Sequence, residues 1–138
     1  YGAAKMALVG LMQTLALEGA KHDIRVNCLA PTAATRMTEG LLPPEVLELL
    51  RPEAVVPAML VGVCQDAPTR TILCAGAGTY EAAHITLTQG VHLGLTPDTP
   101  ERLLAALDEV RERAGESVPQ NGGEQGGNEV QKALAARR

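Results

Sequence analysis

Tyr1 and Lys5 stand four residues apart in the opening stretch Tyr1-Gly2-Ala3-Ala4-Lys5. On a helix that repeats every ~3.6 residues, this spacing puts a phenol and an ammonium on one face. A cation within a few ångströms favours the phenolate and typically moves a pKa by about 1–3 units. The pair is therefore suited to proton transfer, with Tyr1 as general acid or base and Lys5 tuning it. Ordinary helices carry such a pair by chance, so its weight depends on the elements that would position it.

The first of those elements is a helix over residues 2–20, with no charge between Lys5 and Glu18. Apolar side chains occupy nearly every face, which predicts burial on two sides, with Leu8, Leu11, Met12 and Leu15 inside. A turn over Gly19–Asp23 leads to a strand over Ile24–Ala30, which Pro31 ends because it cannot donate to a ladder. The loop Thr32–Thr38 then leaves the carboxyl end of that strand, where open α/β sheets bind ligands. A polar loop with ordinary threonine caps is the plainer reading of the same residues.

Downstream, Pro43–Leu50 reads as a short helix opened by proline, and Pro52–Gln65 as another, bent at Pro57. Arg70–Ala75 reads as a second strand. Gly76-Ala77-Gly78 reads as a tight turn rather than a nucleotide fingerprint, since Glu81 stands where a third glycine belongs. The alternation in His84–Thr88, with Val91–Leu93, predicts a hairpin. His84 and His92 fall on its polar phase and His22 in a loop. None has further ligands at metal spacing, so no metal site is expected.

Thr99-Pro100-Glu101 predicts a helix with Thr99 as its hydroxyl cap, running to Gly115. Residues 116–128 are rich in Gly, Gln, Asn and Glu and read as mobile, with a last helical turn or two over residues 130–138.

Composition narrows the function. The 138 residues are 46% hydrophobic and 20% charged, an ordinary globular mixture with room for one modest domain. A net charge of −4 offers nothing to nucleic acid or to an anionic membrane. No apolar run reaches the ~20 residues of a membrane span, because Gln13, Thr14 and Glu18 interrupt the first helix. Cys28, Cys64 and Cys74 lie far apart in apolar strings and read as buried reduced thiols of a cytoplasmic protein. Two tyrosines and no Phe or Trp leave the core short of large rings, which suits half of a fold better than a whole one.

Taken in order, Tyr1 to Lys5, the apolar helix, Arg25-Val26-Asn27 and Pro31 resemble the short-chain dehydrogenase/reductase family over residues 1–95. Pro31-Thr32-Ala33-Ala34-Thr35-Arg36-Met37-Thr38 is similar to the loop of its (3R)-hydroxyacyl-CoA dehydrogenase branch, found in peroxisomal-type multifunctional enzymes and bacterial relatives. Thr32 and Ala34 stand where that branch often carries Asn and Gly. The resemblance implies an α/β fold, the C-terminal part of a Rossmann-type doubly wound parallel sheet. Residues 1–95 would be the C-terminal half of the dehydrogenase domain, 96–115 a C-terminal helix and 116–138 a flexible tail. The nucleotide-binding half and the family's active-site serine and asparagine lie upstream of the tyrosine and are missing here.

The resemblance also implies NAD or NADP as cofactor, held by Tyr1, Lys5, Pro31, Thr32, Ala33, Ala34 and Thr35, with Tyr1 and Lys5 catalytic. The substrate would be a small hydroxy or keto compound, with 3-hydroxyacyl-CoA the specific candidate. The 2–20 helix would join two copies in a homo-oligomer. The rival reading is an inactive truncated remnant serving as a structural or dimerisation module. A third, an unrelated α/β domain, needs the order from Tyr1 to Pro31 to be coincidence. With only two strong strands in the sequence, the chain alone is expected to aggregate or to be partly molten.

Overall fold

The computed structural model describes residues 1–38 and 40–137. It falls into two compact units, Tyr1–His84 and Ile85–Arg138. The fold is α/β, as the sequence implies, with a three-stranded mixed sheet in the first unit.

Helix α1 spans Gly2–Gly19 and passes through a 3-10 turn at Ala20–His22. Asp23 takes a left-handed conformation (φ 54°) to let the chain reverse, a role that aspartate tolerates better than bulky residues. Strand β1 is Cys28–Pro31, paired in parallel with β2, Ile72–Gly76. β2 pairs antiparallel with β3, Thr79–Ala83. Between β1 and β2 lie α2 (Pro44–Leu49), a 3-10 turn (Pro52–Val55) and α3 (Val56–Val63). Both helices have proline in the first turn, where its missing N–H costs nothing. Pro57 thus begins α3 rather than bending one long helix.

The sheet departs from expectation in three ways. β1 begins four residues later than Ile24, because Arg25 and Asn27 spend their side chains on the end of α3 and the chain after it. The Arg25 guanidinium donates to the carbonyls of Gln65 and Ala67, and the Asn27 amide to those of Gly62 and Pro68. Pro31 is the last residue of the strand rather than the first beyond it. Cys28 and Thr32 donate backbone N–H groups to Thr71 and Ala75, so alternation turns the Pro31 nitrogen to the opposite edge, where no ladder bond is lost.

The hairpin, finally, is β2–β3 and not residues 84–93. Ala77 (φ 50°) and Gly78 (φ 74°) form its two-residue turn. Positive φ at both positions matches the right-handed twist of the flanking strands. Gly76-Ala77-Gly78 is thus the tight turn its composition suggested, and three strands are present where two were expected.

α1 buries one stripe only, Met12, Ala16 and Gly19. Leu8, Leu11 and Leu15, expected inside, are 53%, 54% and 41% exposed, because the described chain packs against a single face of the helix. The small core of this unit is Val55, Ala58 and Ala75, with Ala33 packed on it.

The second unit holds α4 (Thr99–Ala105), α5 (Leu107–Arg111) and α6 (Glu124–Ala135). The helix expected from Thr99 to Gly115 is broken at Ala106, and Asp98 rather than Thr99 is its N-cap. The Thr99 hydroxyl accepts instead from the Thr96 N–H at 2.8 Å. Of the predicted hairpin, only Leu87 makes a strand-like bridge, to Ser117. Helix α6 takes in residues 124–128 of the segment whose composition reads as mobile and runs on through most of the last expected turns. Arg138, the end of the last expected turn, lies outside the described residues.

Arg113 hydrogen-bonds the Glu116 carboxylate through two nitrogens, at 2.9 and 2.7 Å, and Thr86 adds a third bond at 3.1 Å. The Arg113 contact holds the Glu116 carboxyl below the usual glutamate range. A depressed folded-state pKa stabilises above the unfolded glutamate value and is lost as pH falls through the folded one. Arg113→Ala is therefore expected to move the Glu116 titration midpoint upward, as followed by carboxyl NMR.

Candidate functional site

Tyr1 is the N-cap residue of α1, and the Lys5 N–H donates to its carbonyl at 3.0 Å in the first helical bond. The one-face expectation holds: the Lys5 ammonium lies over the Tyr1 ring, 5.2 Å from its centroid. At an exposed site a cation over an aromatic face contributes about 0.5–1 kcal/mol. The ammonium thus meets the ring face, and the Tyr1 hydroxyl has no hydrogen-bond partner among the described residues. Tyr1 is 89% exposed, so no described residue covers it.

Helix α1 meets the start of β1. The Cys28 thiol donates to the Leu8 carbonyl, with S···O 3.7 Å, which fixes where α1 crosses the start of β1. The chain reverses between the two elements. From Leu8 back to Tyr1 is seven residues, about 10 Å of helix axis at ~1.5 Å each. From Cys28 on to Pro31 is three, about 10 Å of strand at ~3.3 Å each. A helix and a strand running in opposite directions from that crossing would carry Tyr1 toward the carboxyl end of β1, where ligands of open α/β sheets bind.

That loop is built from its own backbone and hydroxyls. The Thr32 N–H extends the ladder to Ala75 (2.8 Å), and the Ala34 N–H donates to the Leu50 carbonyl (2.6 Å). Thr38 Oγ1 accepts from the Thr35 N–H and donates to the Thr35 carbonyl, both at 2.8 Å. Thr35 Oγ1 accepts from the Met37 N–H at 3.2 Å. These are the ordinary threonine turns of the plainer reading. They also orient Thr35 so that its hydroxyl proton has no acceptor among the described residues. Thr32 and Thr35 are exposed, while Ala33 and Ala34 are half-buried.

Beside the loop, Thr32, Leu50, Cys74, Ala75, Gly76, Thr79 and Glu81 line a cleft of about 200 Å³. Glu81 and Thr79 are lining residues that sequence reasoning missed. Their strand, Thr79–Ala83, ends in two alanines and gives no strong β signal, so only the turn before it pointed there. Among the described residues no group of His, Cys, Asp and Glu is placed to hold a metal ion. His22, His84 and His92 are exposed. The three cysteines are free, but Cys64 is exposed and Cys28 and Cys74 only half-buried, which corrects the expectation of buried thiols. No helix among the described residues is long and apolar enough to cross a membrane.

Comparison with known proteins gives these features a setting. A short chain dehydrogenase family model matches residues 1–45. A Mycobacterium tuberculosis protein named as a short-chain type dehydrogenase/reductase is 40% identical over 119 residues, covering 86% of this chain and 41% of that protein. The peroxisomal hydratase-dehydrogenase-epimerase of Saccharomyces cerevisiae is 60% identical over 60 residues, 44% of this chain and 7% of the yeast protein. Among solved structures, full-length peroxisomal multifunctional enzyme type 2 from Drosophila melanogaster superposes with a TM-score of 0.79 at 25% identity. That match covers 95% of this chain and 24% of the fly protein. The chain spans under half the length of these relatives.

Proposed function

The chain carries a segment of the short-chain dehydrogenase family, and on that premise we propose that it serves an NAD- or NADP-dependent oxidoreductase interconverting a secondary alcohol and a ketone. The observation that carries the reading is the Lys5 ammonium over the Tyr1 ring, at the start of a helix whose Leu8 carbonyl meets the Cys28 thiol at the start of β1. A 3-hydroxyacyl-CoA is the proposed substrate, supported by similarity to proteins named peroxisomal multifunctional enzymes. Reduced cysteines support a cytoplasmic location.

The residues present fit a pyridine nucleotide. Lys5 offers an ammonium with no carboxylate partner among the described residues, suited to ribose hydroxyls. The Thr32–Thr35 backbone, following Pro31, and the free proton of Thr35 Oγ1 offer the polar edge that a carboxamide requires. When bound, the nucleotide accepts or returns the hydride. In the oxidative direction Tyr1 takes the proton from the substrate hydroxyl at its phenol oxygen, and in the reverse direction it gives that proton back. Lys5 supplies positive charge beside the phenol while the proton is away.

The test is to express the chain joined to the segment that its relatives carry ahead of the matching region, and to assay NAD reduction with 3-hydroxyacyl-CoA. Turnover is the expected result, and its absence with a folded protein removes the reading.

One feature favours a second reading, that of a dimerisation module without activity. Leu8, Leu11 and Leu15 form an exposed apolar face on α1, which suits a homo-oligomer through residues 2–20. Leu11→Lys is expected to shift a sedimenting dimer to monomer. If dimers persist, that helix is not the contact.

A further inference from the structure

We propose that Gly76, at the end of β2, is a positioning residue for the Thr32–Thr35 loop, because the loop rests where a side chain at 76 would be. A Cβ built on Gly76 would fall 2.8 Å from the Thr32 carbonyl oxygen and 2.9 Å from Thr32 Cβ. Real Cβ atoms do not come so close to backbone, so either the loop or the strand would have to move. The requirement is steric, since Gly76 is not among the residues with positive φ.

The surrounding bonds decide which side gives way. Gly76 is held in register opposite Thr79, and β2 is paired on both edges. The loop is held to its neighbours by two bonds, Thr32 N–H to Ala75 and Ala34 N–H to Leu50. The loop is the weaker partner and would shift. A methyl at 76 would also enter the cleft that Gly76 lines with Thr32, Thr79 and Glu81. Gly76 thus acts through Thr32 and need not touch a ligand itself.

Amide hydrogen exchange on the full chain tests this. Gly76→Ala is expected to speed exchange at Thr32 and Ala34 tenfold or more while the β1–β2 amides stay protected. Gly78→Ala is the control. Its Cβ meets nothing within 4 Å, yet its φ of +74° strains the hairpin turn, so hairpin damage alone would show there equally. Unchanged Thr32 and Ala34 exchange, collapse of the whole sheet, or the same loss in Gly78→Ala overturns the proposal.

The functional consequence rests on the dehydrogenase reading. In the joined protein, Gly76→Ala is expected to raise the KM for NAD tenfold or more with kcat changed less than threefold. An unchanged KM overturns the proposal. A joined protein with no turnover, together with the expected exchange pattern, supports Gly76 as a positioning residue and counts against the dehydrogenase reading instead.

Discussion

Tyr1→Phe is expected to lower turnover by about 10²- to 10⁴-fold, the usual worth of a positioned general acid or base. The substitution is selective. It keeps the ring, and with it the seat of the Lys5 ammonium 5.2 Å from the centroid, and removes the hydroxyl alone. That hydroxyl has no partner among the described residues, so no folding contact is lost. Stability, NAD affinity and KM should therefore stay near those of the parent while kcat falls. Lys5→Met removes the cation but keeps the proton-transfer group, so it should raise the KM for nucleotide as well as lower kcat. Measured on the joined protein, turnover in Tyr1→Phe equal to the parent's would remove Tyr1 from the chemistry.

The phenylalanine variant also separates the two things that the Tyr1–Lys5 pair can be. A cation over an aromatic face is a common surface contact and survives in Phe. A proton relay does not. The spacing of the two residues was legible in the sequence because helix geometry fixes which side chains share a face. The meeting of ammonium with ring face was not legible, because it depends on rotamers that the repeat does not set.

The same division runs through the fold. The tight turn at Gly76–Gly78 was readable from composition, since glycine marks positions that need positive φ. Its consequence, a hairpin with β3, was hidden because Tyr80, Glu81, Ala82 and Ala83 form no alternating apolar pattern. The alternation at His84–Thr88 was visible, yet Thr86 and Thr88 bond to Glu116 and to the Val110 carbonyl instead of building a ladder. Periodicity reports which side chains share a face, not what lies opposite that face.

The long apolar helix makes the point most plainly. Its character was read correctly, but burial needs a second surface, and the described chain supplies one for Met12, Ala16 and Gly19 only. The meeting of α1 with β1 depends less on such packing. It follows from chain reversal after α1 and from Cys28 meeting Leu8.

Asn27→Ala is expected to cost about 2–4 kcal/mol of folding stability. Asn27 uses every kind of bond its side chain can make. Nδ2 donates to the Gly62 carbonyl at 3.2 Å and to the Pro68 carbonyl at 2.7 Å, and Oδ1 accepts from the Thr71 N–H at 3.1 Å. The three partners lie in the last turn of α3 (Gly62) and in the chain between α3 and β2 (Pro68, Thr71), so this one amide sets both against the chain just before the ladder starts at Cys28↔Ile72. Alanine strands two carbonyls and an N–H in a half-buried place, and each net bond is worth about 0.5–1.5 kcal/mol. Asn27→Asp should fare no better, since a carboxylate would face two carbonyl oxygens with nothing to donate. Few apolar groups are buried to offset the loss: among the described residues, Met12, Ala16, Val55, Ala58, Ala67 and Ala75. A change of this size takes a large share of the ~5–15 kcal/mol that holds a typical domain together. Denaturant midpoints of Asn27→Ala and of the parent chain measure it. A midpoint shift worth less than about 0.5 kcal/mol would mean that the strand pairing, not the amide, sets the register of β1 and β2.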